Sequence, residues 1–189
     1  CYACHEEIKA SQEEAKSRHH FVSEPDGCVK CHTPHASSVK YGLKADPMTL
    51  CISCHEDTIP TVDGKELGSF SEEIANKRFM HGPVSQKNCS GCHVSHGSNM
   101  YRLLTKEYPS KFYADFSLGN YELCFTCHSE KLVLATETSG LTDFRNGTQN
   151  LHFLHVNRDK KGRTCSSCHA THASDLPKRV RRTVPFGRW

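Results

Sequence analysis

The sequence predicts mostly irregular coil with a few short α-helices and little or no β-sheet. Leu, Ile, Val and Phe make up only 36 of the 189 residues, too few for an ordinary apolar core, so the chain needs disulfides, metals or a covalent cofactor to hold it. No run alternates apolar and polar residues over a useful length. No apolar run approaches the roughly 18 residues of a membrane span, which predicts a protein without one.

Two segments have helical composition. Residues 6–20 contain neither Pro nor Gly, and residues 71–81 follow Ser69, which stands three residues before Glu72 as in a capping box. Residues 58–70, 109–120 and 136–150 contain the Gly, Pro, Asn and Ser typical of loops, and residues 132–135 could form a short ribbon.

The cysteines carry the strongest pattern. All twelve fall into six Cys-x-x-Cys pairs, and a histidine follows every pair directly: CYACH, CVKCH, CISCH, CSGCH, CFTCH and CSSCH, here called motifs one to six. Disulfides would need no histidine after each pair, and zinc held by four thiolates would leave six histidines idle. The pattern is that of c-type haem attachment.

Each motif therefore predicts one covalent haem c, six in all, held through two thioethers and an imidazole under the iron. The haem stack would then form the core, with the coil and short helices wrapped around it. The predicted attachment cysteines are Cys1, Cys4, Cys28, Cys31, Cys51, Cys54, Cys89, Cys92, Cys124, Cys127, Cys165 and Cys168. The predicted proximal ligands are His5, His32, His55, His93, His128 and His169. Each pentapeptide should form a turn or a single helical turn.

Haem also changes the charge. The polypeptide has a net charge of +3. Each haem adds two propionates and, when oxidised, a positive iron–porphyrin centre, so six haems would take the charge to about −3 when oxidised and about −9 when reduced. The chain therefore offers no argument for a nucleic-acid partner. The basic residues Lys178, Arg179, Arg181, Arg182 and Arg188 are expected to pair with propionates or to face solvent, with docking to an acidic partner as the alternative.

The remaining histidines supply the sixth ligands. His35, His96 and His172 each lie three residues after a proximal histidine, and His20, His81 and His155 lie eight to ten residues before a haem cysteine. Six proximal and six distal histidines predict six bis-histidine irons. His19 and His152 are left over as surface or packing residues, although His152 could replace His155, which lies one helical turn away.

The motifs with their flanking histidines resemble the doubled Cys-x-x-Cys-His unit of multihaem c-type cytochromes from metal-reducing and sulfate-reducing bacteria, some of which form filaments. The resemblance implies one hexahaem domain over residues 1–189: a half unit 1–18, two-haem units 19–80 and 81–150, and a half unit 151–189. It also implies that the upstream histidine (His20, His81, His155) serves the first haem of a unit and the downstream one (His35, His96, His172) the second.

This pairing leaves haem one without a distal ligand and His172 without a haem in its own chain. Three solutions remain open. His172 could ligate haem one of the next copy in a head-to-tail filament, the chain could be part of a longer cytochrome, or the units could pair as motifs one–two, three–four and five–six with all ligands internal.

Iron with both axial positions filled has no open site for a substrate. The sequence therefore predicts electron transfer rather than catalysis, with donor or acceptor cytochromes or extracellular minerals as partners. The rival is a multihaem reductase that uses haem one as an open site. Because haem c is attached outside the cytoplasm, the expected location is periplasmic or extracellular.

Overall fold

A computed structural model describes residues 1–61 and 64–184, and most of this length is coil. Short α-helices interrupt the coil: α1 Glu6–Glu14, α2 Gly27–Cys31, α3 Pro47–His55, α4 Phe70–Ile74, α5 Gly82–Ser85, α6 Glu122–Phe125, α7 Lys131–Leu134, α8 Leu151–Val156 and α9 Cys165–Cys168. Single 3₁₀ turns occur at His20–Ser23, Lys40–Gly42, Cys89–Gly91, Tyr101–Leu103, Leu118–Tyr121 and Pro177–Arg179. The predicted fold class is confirmed.

The strands are two residues long and pair only as antiparallel ribbons. They are β1 Ser17–Arg18, β2 Ile59–Pro60, β3 Glu66–Leu67, β4 Phe79–Met80, β5 Gly97–Ser98, β6 Tyr113–Ala114, β7 Arg145–Asn146, β8 Gln149–Asn150, β9 Gly162–Arg163 and β10 Ala173–Ser174. Two ribbons, β2 with β3 and β7 with β8, are local hairpins. The other three pair β1 with β5, β4 with β10 and β6 with β9, and so join distant parts of the chain.

The two predicted helices exist but are shorter than expected. Helix α1 ends at Glu14 because Ala15 is extended and leads into β1, which pairs with β5. Helix α4 ends at Ile74, and the last part of the predicted helix instead contains β4, paired with β10. Tertiary pairing has overridden helix propensity in both cases. The ribbon suggested for residues 132–135 is wrong, because α7 covers most of that segment.

The prediction that Ser69 caps helix α4 is confirmed. The side chain of Ser69 accepts a hydrogen bond from the backbone N–H of Glu72 and begins α4. Its hydroxyl also donates to the carbonyl of Glu56, just after motif three. One serine thus begins the helix and ties it to the haem motif that precedes it.

The polypeptide buries little of itself. One small cluster forms around Tyr121, Val133 and Val156, with Tyr108 and Phe125 among the side chains packed against it. The accessible surface is 12950 Å², whereas a globular chain of 21.3 kDa is expected to expose about 9,100 Å². The side chains alone therefore do not form the main core.

None of the helices in the described ranges has the length and apolar character needed to cross a bilayer.

Candidate haem-binding sites

Each motif forms one helical turn. In motifs one, two, four, five and six the N–H of the histidine donates to the carbonyl of the first cysteine, at 2.9 to 3.1 Å, and motif three closes helix α3. Residues at positions i, i+3 and i+4 of a helical turn lie on one face. Both thiols and the imidazole therefore share a face, as attachment to a single porphyrin requires. The prediction that each pentapeptide forms a turn or a single helical turn is confirmed. All twelve thiols are free of disulfides.

Five proximal histidines face a second histidine across a nearly constant distance. Their ring centroids are 6.1 to 6.3 Å apart in the pairs His32–His96, His55–His19, His93–His172, His128–His81 and His169–His152. A metal–imidazole bond is about 2 Å long, so two imidazoles on opposite sides of one metal ion have centroids about 6 Å apart. The spacing of all five pairs fits axial ligation of one iron each.

Burial supports the same use of these rings. It is the leading cause that lowers the pKa of His19, His55, His81, His93, His96, His128 and His152. A metal ligand must be the neutral imidazole, so this environment keeps the rings ready to bind. Within residues 1–61 and 64–184, no three His, Cys, Asp or Glu side chains converge as a conventional metal site. The paired imidazoles are the ligand sets that the described chain offers.

The pairs differ in part from the predicted distal set. His81, His96 and His172 face proximal histidines, as distal ligands would. His19 takes the place predicted for His20, whose exposed ring lies 3.4 Å from Glu24. Likewise His152 rather than His155 faces a proximal ring.

His35 and His5 have no opposing imidazole among the described residues, and both are exposed. His5 lies 3.9 Å from Glu7. Motif one therefore presents a proximal histidine without an opposing imidazole among the described residues, which agrees with the pairing that the resemblance implies.

The pairing follows a repeated rule. His96, downstream of motif four, faces His32 of motif two, and His172, downstream of motif six, faces His93 of motif four. Each downstream histidine thus serves the even motif before its own, which differs from every pairing predicted from the sequence. Two ribbons enforce this arrangement. β5 follows His96 and pairs with β1, and β10 follows His172 and pairs with β4. The backbone N–H groups of His19 and His81 donate to the carbonyls of His96 and His172, respectively.

The even motifs share a loop that orients the proximal imidazole. Nδ1 of His32, His93 and His169 lies 2.9 to 3.1 Å from the carbonyl nine residues ahead, which belongs to Tyr41, Arg102 and Lys178, respectively. These three residues have φ of 52 to 64°, the left-handed region that non-glycine residues seldom adopt. The Nδ1–H bond fixes the tautomer that leaves Nε2 to bind a metal. No sequence pattern indicated this loop.

Neighbouring motifs are in contact in sequence order. The Cys89 thiol is the leading cause that raises the pKa of Cys51, and the Cys165 thiol is the leading cause that raises the pKa of Cys124, so the thiols of each pair lie close together. Burial and then nearby Cys54 raise the pKa of Cys31, and burial and then Cys124 raise that of Cys92. Motifs two to six therefore form a continuous row.

Two buried polar atoms border motif five without a hydrogen-bond partner in the described chain, the hydroxyl of Tyr121 and Nε of Arg179. Tyr121 lies close enough to Cys165 and Cys124 for both to raise its pKa after burial. Arg179 lies close enough to the facing rings His81 and His128 to lower the pKa of each, after burial. An arginine and a phenol beside a haem motif fit the carboxylates of a bound haem.

The rest of the basic segment is tied back to the protein. Nε of Arg181 donates to the carbonyl of Ser166, and Arg182 lies 3.9 Å from Asp175. The carbonyl of Lys178 accepts from His169. Arg188 lies outside the described residues. The segment thus contributes to motif six rather than standing apart as a basic patch.

One comparison with known proteins supports the same class. Residues 19–59 and 81–132 match the family model of the doubled CXXCH motif. Each matched segment holds one even motif and the odd motif that follows it. The match supports a multihaem c-type cytochrome-like protein whose CXXCH motifs bind haem c covalently and serve electron transfer. A search of curated proteins found no match.

Proposed function

We propose that the protein holds six haem c groups and conducts electrons along them. The observation that carries this proposal is the set of five imidazole pairs with one common spacing. When bound, each haem iron exchanges one electron between its ferric and ferrous forms. The chain attaches these groups through its twelve cysteines and holds both axial imidazoles of at least five of them.

Electron transfer depends on close spacing, and the contacts between motifs support it. Cys51 lies close enough to Cys89, and Cys124 to Cys165, for one thiol to raise the pKa of the other, so the attachment points of successive haems are close together. The proposed path follows the chain from motif two to motif six, with haem one at the N-terminal end. Donors and acceptors would be other cytochromes or minerals, met in the periplasm or outside the cell, where c-type haem is attached.

We propose no enzymatic role. Paired imidazoles would fill both axial positions at haems two to six, and the only reductase candidate is haem one, at His5. A shift of the reduced spectrum with carbon monoxide in assembled protein would favour the reductase. No shift would favour the conductor.

Haem content provides the first test of the proposed function. Mass spectrometry of the protein from its native source should give the mass of the polypeptide plus six haems, and electron paramagnetic resonance should assign at least five of them as low-spin. The twelve cysteines should resist alkylation, because haem attachment would convert every thiol to a thioether. Fewer than six haems, or a majority of high-spin irons, would contradict the proposal.

A head-to-tail filament is the second candidate, and the structure changes its expected ligand. His172 faces His93 in its own chain and is not free to reach another copy. Odd haems three and five receive their second imidazole from the histidines upstream of motifs two and four, His19 and His81. Continued across a junction, this rule assigns haem one of the next copy to His155, upstream of motif six. Nδ1 of His155 lies 2.7 Å from the carbonyl of Leu151, which leaves Nε2 free.

We expect haem one to be low-spin in assembled wild-type protein and high-spin after dispersal. His155→Ala should leave it high-spin in both states, and His20→Ala should behave like the wild type. Electron microscopy would follow assembly, and electron paramagnetic resonance would count high-spin irons. If His20→Ala, and not His155→Ala, produced the high-spin iron, the head-to-tail ligand would be ruled out.

A further inference from the structure

The imidazole of His172 stands out because a carboxylate holds its second nitrogen. Nδ1 of His172 lies 2.9 Å from Oε2 of Glu73. Other paired histidines that bond through Nδ1 in the described chain meet neutral groups: backbone carbonyls for His32, His81, His93 and His169, and the hydroxyl of Thr142 for His152. A carboxylate on Nδ1–H draws the proton away and makes the imidazole a stronger donor to its metal.

The contact is built rather than incidental. Helix α4 carries both Glu73 and Phe70, and the Phe70 ring meets the His172 ring edge-on at 5.1 Å and 90°. Two further contacts hold the chain after α4 against residues 173–175: the ribbon of β4 with β10, and the ion pair of Lys77 with Asp175 at 3.4 Å. Glu73 and Phe70 together fix the position and plane of the imidazole.

The surroundings also favour a charged Glu73. Arg181 and Arg102 lie within electrostatic range of the Glu73 carboxylate, and nearby cations stabilise the charged form of a carboxylate. Across the pair, Nδ1 of His93 donates to the carbonyl of Arg102. Both imidazoles of the motif-four pair are therefore hydrogen-bonded through Nδ1, one of them to a carboxylate.

We propose that Glu73 is a positioning residue that gives haem four the lowest reduction potential in the chain. More strongly donating axial ligands favour ferric over ferrous iron, and hydrogen bonding to those ligands is one of the protein's main means of setting potential. Haem four lies within the row of motifs rather than at an end, so electrons passing in either direction would cross its high-energy reduced state. This inference rests on the proposed function and specifies one of its steps.

The test compares Glu73→Gln with Glu72→Gln in the haem-loaded protein. Glu72 is the adjacent carboxylate of α4 and is exposed, which makes it a matched control. Spectropotentiometric titration should show the lowest-potential component moving to higher potential in Glu73→Gln, while the other components and all of Glu72→Gln match the wild type. Glutamine keeps a carbonyl oxygen as hydrogen-bond acceptor, so the variant removes the charge and retains the contact.

A third variant distinguishes a failure of the inference about Glu73 from a failure of the proposed function. His172→Ala should convert one low-spin iron to high-spin. If it does so and Glu73→Gln leaves every potential unchanged, the inference about Glu73 is wrong and the proposed function stands. If His172→Ala leaves all low-spin signals intact, the assignment of His172 as an axial ligand fails. A general shift of all potentials in Glu73→Gln, with altered circular dichroism, would reduce Glu73 to a structural residue and overturn the inference.

Discussion

Replacing His19 with alanine is expected to create one more high-spin iron than the wild type has, whereas replacing His20 should create none. The two residues are adjacent in sequence, yet the His19 ring lies 6.2 Å from His55 and the exposed His20 ring lies near Glu24. Loss of an imidazole from an axial position leaves a five-coordinate iron. Loss of a surface imidazole leaves the iron centres unchanged.

The effect should be large because the adjacent His20 is held away from the His55 ring. His20 begins the 3₁₀ turn His20–Ser23, and its ring lies against Phe21 at 5.4 Å. The backbone N–H of His19 donates to the carbonyl of His96, which anchors this histidine and not its neighbour. Haem three of His19→Ala should therefore bind carbon monoxide when reduced.

Electron paramagnetic resonance at high-spin g values and the carbon monoxide difference spectrum would measure the change, with total haem unchanged as the control. The reverse result, a new high-spin iron in His20→Ala alone, would restore the ligand predicted from sequence. Equal effects of both variants would indicate a general disturbance of the 19–23 segment rather than loss of one ligand.

Sequence reasoning succeeded where the chemistry is local. The spacing of two cysteines and a histidine within one helical turn fixes their common face, whatever the rest of the chain does. The shortage of aliphatic side chains likewise predicted a chain with little core of its own. Both conclusions depend on residues within five positions of each other or on composition alone.

The partners of the proximal histidines could not be obtained in this way. His32 meets His96 and His93 meets His172, and both pairs depend on two-residue ribbons that have no signature in the sequence. The choice between His19 and His20 depends on which backbone bonds to the carbonyl of His96. Spacing favoured His20, which lies eight residues before a haem cysteine as His81 does.

Residues that act through hydrogen bonds were missed for the same reason. In the sequence Glu73 cannot be told apart from any other glutamate on a helix surface, and only the fold brings it to His172. The left-handed carbonyls of Tyr41, Arg102 and Lys178 involve backbone atoms, so the side chains at these positions carry no common signal. Asn150 is a further example, because its side chain accepts a hydrogen bond from the backbone N–H of His152, which the sequence analysis left over as a surface or packing residue.

Asn150→Ala is expected to lower the free energy of unfolding by about 3 kcal/mol, at roughly 1 kcal/mol for each of three hydrogen bonds. The side chain is fully buried. Its Nδ2 donates to the carbonyls of Leu132 and Ala135, at 2.9 and 2.8 Å, and its Oδ1 accepts from the backbone N–H of His152. One amide thus joins the end of α7 to the beginning of α8, the helix that carries His152.

Asn146→Ala is the matched control. It removes an exposed amide from the same β7–β8 hairpin and should change stability by less than about 0.5 kcal/mol. Urea unfolding followed by circular dichroism gives the free energies. The low-spin signal of haem six should be lost at a lower urea concentration in Asn150→Ala, because α8 then loses its cap and His152 its anchor. Equal midpoints for the two variants would show that α8 is held by other contacts. A stability loss without an earlier loss of the haem-six signal would separate the anchoring of α8 from the ligation of His152.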